Sequence, residues 1–340
     1  MANIVCFGEI MGRFCPPGYQ KVLQATSYDV TFAGGEANVA VSLANYGIPV
    51  AFVTKIPDND FGKNVKKILK GYDVNVDKIL FGGDRLGMYY VEKGASQRPS
   101  KVIYDRKYSA ISTANKSEFD WDKILEGATW FHTTGITPAL SDSCIEITRE
   151  ALMKCKEKGI TVSCDLNYRK NLWNSEKAKA VMSELMQYVD VCIGNEEDAE
   201  KVLGISASET NVTAGELNKD GYTQVAKDIV KKYGCKTVAI TLRESYSASV
   251  NGWSALLYTG GKSYFSKKYD IQLVDRVGGG DSFVGALLYA LNERTNSQEQ
   301  VDFAVAASCL KHTIEGDFNQ VTVKEVEVLM NGDGSGRVQR

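Results

Sequence analysis

The chain has 340 residues, 44% of them hydrophobic and 24% charged, enough apolar material for a large buried core and unlike a disordered or fibrous chain. Lys and Arg total 40 against 42 for Asp and Glu, a formal net charge of -2, so no basic surplus points to nucleic acid. No apolar run approaches the roughly 18 residues that a membrane span requires.

In chain order, the start Met-Ala-Asn-Ile-Val-Cys-Phe-Gly-Glu has no basic leader and reads as a first buried strand instead of a signal peptide. The densest basic stretch, Lys66-Lys67-Ile68-Leu69-Lys70, has helical character and reads as a solvated helix face, not a nucleic-acid patch. Segments 22–32 and 86–108 interrupt the pattern with hairpin-like runs, Met88-Tyr89-Tyr90-Val91 and Lys101-Val102-Ile103-Tyr104. From about residue 128 short β-branched runs alternate with longer helical ones: strands at 129–133, 161–166, 189–194 and 236–242, helices at 141–158, 175–188 and 221–233. That alternation predicts an α/β fold, a mostly parallel sheet flanked by helices, with a small inserted β lid. The expected α/β body takes about 1–12, 34–85 and 109–330, and the lid about 13–33 and 86–108. Residues 206–218 read as a polar surface loop and the Gly-rich 331–340 as a frayed tail. Eight cysteines, none in Cys-x-x-Cys and most in apolar contexts, read as free thiols of a reducing cytoplasm. Two histidines, His132 and His312, are too few for most zinc sites, and His132 sits in a strand-like run.

The most informative segment is Asp275-Arg276-Val277-Gly278-Gly279-Gly280-Asp281, which runs into an almost wholly apolar helix. Gly278, Gly279 and Gly280 permit close backbone approach, so successive N–H groups at a helix N-terminus can converge on an anion. Asp281 has two functional-grade readings from its chemistry alone: a helix cap, or a general base for a substrate hydroxyl. A second glycine turn, Ala33-Gly34-Gly35-Glu36-Ala37-Asn38, also precedes an apolar helix. There is no Gly-x4-Gly-Lys-Ser/Thr and no Gly-x-Gly-x-x-Gly, which disfavours a P-loop enzyme and a dinucleotide oxidoreductase.

These two signatures, in this order, resemble those of the ribokinase-like (PfkB) carbohydrate kinases. The resemblance implies that Asp281 is the catalytic base, that Gly278, Gly279 and Gly280 form the anion hole, and that Gly34, Gly35 and Asn38 touch the sugar. Asn195-Glu196-Glu197-Asp198 is similar to the family's Asn-x-x-Glu, which implies ATP and Mg2+ as cofactors, with Asn195 near the phosphates and Glu197 and Asp198 toward the metal. Asp198 stands where relatives carry glutamate. Nucleotide contacts are implied at Thr241, Arg243, Gly278, Gly280 and Ala307, although Arg243 replaces a glycine frequent in relatives. Arg276 replaces a frequent threonine, which leaves a monovalent cation open. Pairing of lids into a homo-oligomer follows by analogy with relatives.

The substrate is read from charge. Neutral-sugar kinases of this family carry an aspartate where this chain has Arg13; the arginine either adds positive charge to the pocket or points to solvent. Tyr104-Asp105-Arg106-Lys107 and Asp165-Leu166-Asn167-Tyr168-Arg169 suit a carboxylate, which a guanidinium binds through paired hydrogen bonds. Together with Gly87-Met88-Tyr89 and Gly135-Ile136-Thr137-Pro138 they resemble the 2-keto-3-deoxygluconate kinases, which implies a pocket of Tyr89, Tyr104, Arg106, Ile136 and Arg169. The expected activity is ATP-dependent phosphorylation of 2-keto-3-deoxygluconate. A fructokinase or other sugar-acid kinase is the alternative within the family, and a non-catalytic sugar- or nucleotide-sensing protein the alternative outside it.

Overall fold

A computed structural model describes residues 3–206 and 219–332. The polar loop and the tail expected from the sequence lie outside them, apart from Ser206, Asn331 and Gly332. The main sheet has nine strands. From one edge the order runs Lys262–Phe265, Val250–Thr259, Thr237–Ser245, Val191–Asn195, Thr161–Asp165, Trp130–Thr134, Ile4–Phe7 and Val50–Val53, with Tyr269–Gln272 also pairing with Val250–Thr259. Pairing is parallel from Val50–Val53 to Thr237–Ser245 and antiparallel beyond it.

The parallel strands are buried on both faces, as crossover helices require. Ile4 and Cys6 join one hydrophobic core, while Val5 and Phe7 join the other, and Val191 and Ile193 divide from Cys192 in the same way. Alternation of side chains thus feeds both cores from one strand. The helix Asp142–Lys158 shows why the intervening elements form: Ser141 Oγ accepts the N–H of Cys144 at 3.1 Å, and Gly159 ends the helix at φ 67°.

The predicted strands and helices of this half recur within two residues of their expected ends, except that 237–245 runs three residues further and the helix from Ser175 ends at Leu185, with a 3-10 turn over Met186–Tyr188. The antiparallel strands between 250 and 272 are absent from the sequence reading.

The small sheet has four strands in the order Asp29–Ala33, Met11–Cys15, Gly87–Glu92 and Lys101–Asp105. The hairpin pairs Tyr89 with Tyr104 and Glu92 with Lys101. Met11–Cys15 begins two residues before the expected boundary at 13, and residues 22–24 form a short 3-10 turn instead of sheet. Among the described residues no helix is long and apolar enough to cross a membrane. All eight cysteines are free, seven of them buried.

Candidate active site

The parallel strands all end on one side, and the loops that follow them carry the polar residues of the site, as open α/β sheets require. Glu9 follows Ile4–Phe7, Asn167 follows Thr161–Asp165, Thr134 and Asn195 end their strands, and Thr241, midway along the longer Thr237–Ser245, lies level with Asn195. Two helices point their N-termini at the same place: Gly35–Asn45 and Gly279–Glu293. Gly34, just ahead of the first, lies so close to Glu9 that a Cβ there would stand 1.9 Å from the Glu9 carbonyl oxygen. Gly278 caps the second at φ 80°, and its Cβ would stand 2.2 Å from the Asp317 carbonyl oxygen. Only glycine fits either position.

Two cavities result. The larger, about 520 Å³, is lined by Asn195, Glu197, Asp198, Thr241, Arg243, Gly278 and Gly280 among the residues expected from the sequence. The smaller, about 70 Å³, is lined by Gly34, Gly35, Asn38, Tyr89, Tyr104, Arg106 and Ile136. Asn167, Arg169, Val277 and Asp281 line both. Asp281 therefore stands at the junction.

Asn38 Nδ2 donates to Asp281 Oδ2 at 2.6 Å. Burial pushes the Asp281 carboxyl up to about 6, Asn38 pulls it down, and the Asp317 charge raises it again. Asp281 makes no cap hydrogen bond to its helix, because Gly278 holds the cap position and no side chain caps there. Of the two readings, helix cap and base, the cap is thus excluded.

Arg169 is exposed, and its Nη1 donates to the Tyr168 carbonyl at 3.0 Å. Arg106 is buried and directs Nε (2.8 Å) and Nη2 at Glu9 Oε2. Its guanidinium lies over the Tyr104 ring, which stacks on Tyr89. Among the described residues Glu9 Oε1 is buried without a hydrogen-bond partner.

Arg13 departs from both sequence expectations. It faces neither the pocket nor solvent: it is buried, donating Nη2 to Asp275 Oδ2 at 2.5 Å and Nη1 to Asp317 Oδ1. Tyr89 Oη donates to the other Asp317 oxygen at 2.7 Å. Burial opposes the Arg13 charge, but the Asp317 and Asp275 carboxylates outweigh it and hold its proton more tightly than usual. Its charge is spent inside the fold and cannot select a substrate.

Two further expected residues lie off the cavity walls. Ala307 is fully buried inside the helix Ser297–Lys311 and lines neither cavity. Gly279 is absent from the cavity walls because it packs on His312. His312 is itself buried, with Nδ1 2.6 Å from the Ser308 carbonyl, and burial drops its pKa to about 3. His132 is likewise structural: Nδ1 lies 2.9 Å from Ser163 Oγ, and burial lowers its pKa to about 3.

Other lining residues were not read from the sequence. Glu36 is buried, and its Oε1 accepts from the Thr134 N–H (2.9 Å), Thr134 Oγ1 (2.8 Å) and Thr137 Oγ1 (2.7 Å). Burial raises its pKa, against the pull of those hydroxyls. Arg276 and Trp253 line the larger cavity, and Arg243 lies 4.8 Å over the Trp253 ring.

One wall of that cavity offers only hard oxygen donors: Asp165, Asn195, Glu197 and Asp198. Asp198 accepts the N–H groups of Tyr168 (2.9 Å) and Asn195 (3.2 Å), and burial raises its pKa. Burial also raises Asp165, and the nearby Asp198 and Asp281 charges add to it. Among the described residues no three His, Cys, Asp or Glu side chains converge to enclose a metal. Such a wall suits a cation that keeps most of its waters, as magnesium does.

A sequence profile of the pfkB family carbohydrate kinase matches residues 1–321, and the chain belongs to that family. It is 35% identical over 335 residues to the 2-dehydro-3-deoxygalactonokinase of Haloferax volcanii, covering 98% of both chains. It is 27% identical to the 2-dehydro-3-deoxygluconokinase of Thermoproteus tenax, covering 97% of this chain and 94% of that one. The crystal structure of 2-dehydro-3-deoxygluconokinase from Thermotoga maritima has a TM-score of 0.94 and 51% identity, covering 98% of this chain and 100% of that one.

Proposed function

We propose that the chain transfers a phosphoryl group from ATP to the terminal hydroxyl of 2-keto-3-deoxygluconate, giving 2-keto-3-deoxy-6-phosphogluconate. The observation that carries this reading is Asp281 at the junction of the two cavities, with the exposed guanidinium of Arg169 lining both. The larger cavity takes the nucleotide, along Thr241, Arg243 and Asn195. The smaller takes the sugar acid, whose carboxylate pairs with Arg169 and with the face of Arg106 that Glu9 leaves open. Gly34, Gly35, Asn38, Tyr89, Tyr104 and Ile136 hold the rest of the sugar.

Asp281 takes the hydroxyl proton as the oxygen attacks, and a carboxylate near pH 6 is basic enough to do so while remaining ionised at neutral pH. The N–H groups around Gly278, Gly280 and the first helical turn stabilise the charge on the group in flight. Magnesium arriving with the triphosphate would be held near Asn195, Glu197 and Asp198 and would neutralise phosphate charge. The small sheet acts as a lid over the sugar, excluding water as a competing acceptor. In this reading the body is about 1–12, 34–85 and 109–330, and two copies pair through the lid, where Val30 and Ile103 are exposed. Free, buried thiols fit a reducing cytoplasm.

The test is ADP release across 2-keto-3-deoxygluconate, its galactonate epimer, fructose and ribose. The Haloferax volcanii relative's name makes the epimer the second reading. Preference for either acid supports the proposal. Preference for fructose replaces it with a fructokinase, and no ADP release with any substrate leaves a sensor.

A further inference from the structure

Lys311 ends the helix Ser297–Lys311, and its side chain is fully buried. A buried ammonium is costly unless its three donors find acceptors. Among the described residues those acceptors are main-chain carbonyls: Nζ donates to Asp275 O at 3.5 Å and, more closely, to Val277 O. Both carbonyls belong to the turn that leads directly into Gly278. The nearest carboxylates are otherwise engaged, since Arg13 is paired with Asp275 and Asp317.

The same helix grips this loop at two more points. Ser308 Oγ donates to Gly279 O at 2.7 Å, and His312 O accepts the N–H of Val274 at 2.9 Å. Lys311 differs from these in carrying charge. Burial lowers its pKa, and the nearby Asp275, Asp317 and Asp281 charges pull it back up; as an ammonium it sits behind the turn and ties the Asp275 and Val277 carbonyls to the end of the helix. Two convergent carbonyls next to Asp275 are also the kind of donor set a monovalent cation uses. Here the ammonium already fills it.

We propose that Lys311 is a built-in cation that positions the glycine loop for phosphoryl transfer and makes a free monovalent cation unnecessary. Lys311 lines neither cavity, so it acts through the loop as a positioning residue. The proposal rests on the phosphoryl-transfer reading of that loop.

The test compares wild type and Lys311→Met, as full chains, with potassium, ammonium or tetramethylammonium as the sole monovalent cation. Wild-type ADP release with 2-keto-3-deoxygluconate is expected to differ by less than about twofold among the three. Lys311→Met in tetramethylammonium should lose about 10²-fold in kcat, the scale of a misplaced oxyanion donor, with KM for the sugar acid nearly unchanged. Potassium or ammonium should restore at least a tenth of the wild-type kcat and raise the variant's melting temperature, because a small cation can enter the vacated carbonyl site. Tetramethylammonium is too large to do either.

Wild-type activation by potassium of tenfold or more overturns the proposal, as does wild-type kcat in the variant without added cation. A folded variant whose kcat and melting temperature both ignore potassium and ammonium overturns it as well. Should Lys311→Met not fold, the wild-type cation comparison decides alone. Absence of ADP release by the wild type with every sugar defeats the phosphoryl-transfer reading instead, while the cation-dependent melting of the variant still reports on Lys311.

Discussion

Asn38 and Asp281, 243 residues apart, meet through a 2.6 Å hydrogen bond that joins the N-terminal turns of two separate helices. The bond stabilises the ionised carboxylate and so offsets part of the burial that raises its pKa. A base must be ionised to work. With a pKa of about 6, kcat/KM should be level above pH 7 and fall about tenfold per pH unit below 6. Asn38→Ala removes the stabilising bond, so the acid limb should move to higher pH. A limb that stays in place in Asn38→Ala would separate the two residues' roles.

Asp281→Asn keeps the shape and removes the basicity. Turnover should drop by roughly 10²- to 10⁴-fold, with ATP binding and melting temperature close to wild type. Residual turnover above about a tenth of wild type would take Asp281 out of the reaction.

The glycines of the loop should separate in their effects. At Gly280 no atom lies within 4 Å of a built Cβ, so Gly280→Val should fold normally yet crowd the phosphoryl position, costing about 3 kcal/mol in the barrier. Gly278→Ala meets the Asp317 carbonyl in a left-handed backbone and should instead lower the melting temperature. Normal turnover in a well-folded Gly280→Val enzyme contradicts the placement of the phosphoryl group.

Substitution of Arg169 tests the substrate class. If Arg169 reads a carboxylate together with the buried Arg106, the wild type should favour 2-keto-3-deoxygluconate over fructose and ribose by roughly 10⁴-fold, since a neutral ligand closing over the pair displaces water without replacing its hydrogen bonds. Arg169→Leu should narrow that preference by weakening kcat/KM for the acid far more than for a neutral sugar, and Arg169→Lys should recover only part. Equal slowing of both substrates would sink the assignment.

Arg13 should govern stability and leave the choice of substrate alone. Arg13→Met strands two buried carboxylates, a change worth roughly 3 to 5 kcal/mol, visible as a lower denaturant midpoint. An altered acid-to-neutral preference in a stable Arg13→Met protein would return the residue to the pocket.

The difference between Arg13 and Asp281 also explains what could be read from the chain. Residues 278–281 were legible because glycines running into an apolar helix are a local pattern, and the alternation of buried strands and helices after residue 128 is local too. The fate of Arg13 depends on Asp275 and Asp317, 262 and 304 residues away, and no spacing along the chain announces that pairing. Glu36 sat inside the first glycine motif, yet its partners Thr134 and Thr137 come from another strand end. Ala307 has the spacing of its helix but faces the core. Of the strands between 250 and 272, Lys262–Phe265 escaped because its mixed polar and aromatic run lacks the apolar signature of the buried ones.

The Arg13 bridge to Asp317 has a consequence for the order in which the molecule is made. A chain emerging from the ribosome presents Arg13 in its strand and Asn38 in its helix long before Asp275, Asp281 and Asp317 exist. Domains of this kind condense as they are synthesised, and contacts between distant segments form late. Arg13 must therefore wait in solvent, as an unpaired cation on an unfinished fold, until nearly the whole sequence has been translated. A product stopped before residue 281 would hold most of the parallel sheet and lack the proposed base, and one stopped before 317 would hold Asp281 beside a half-neutralised arginine. Termination before residue 281 should thus leave folded sheet without turnover, and termination between 281 and 317 a less stable protein.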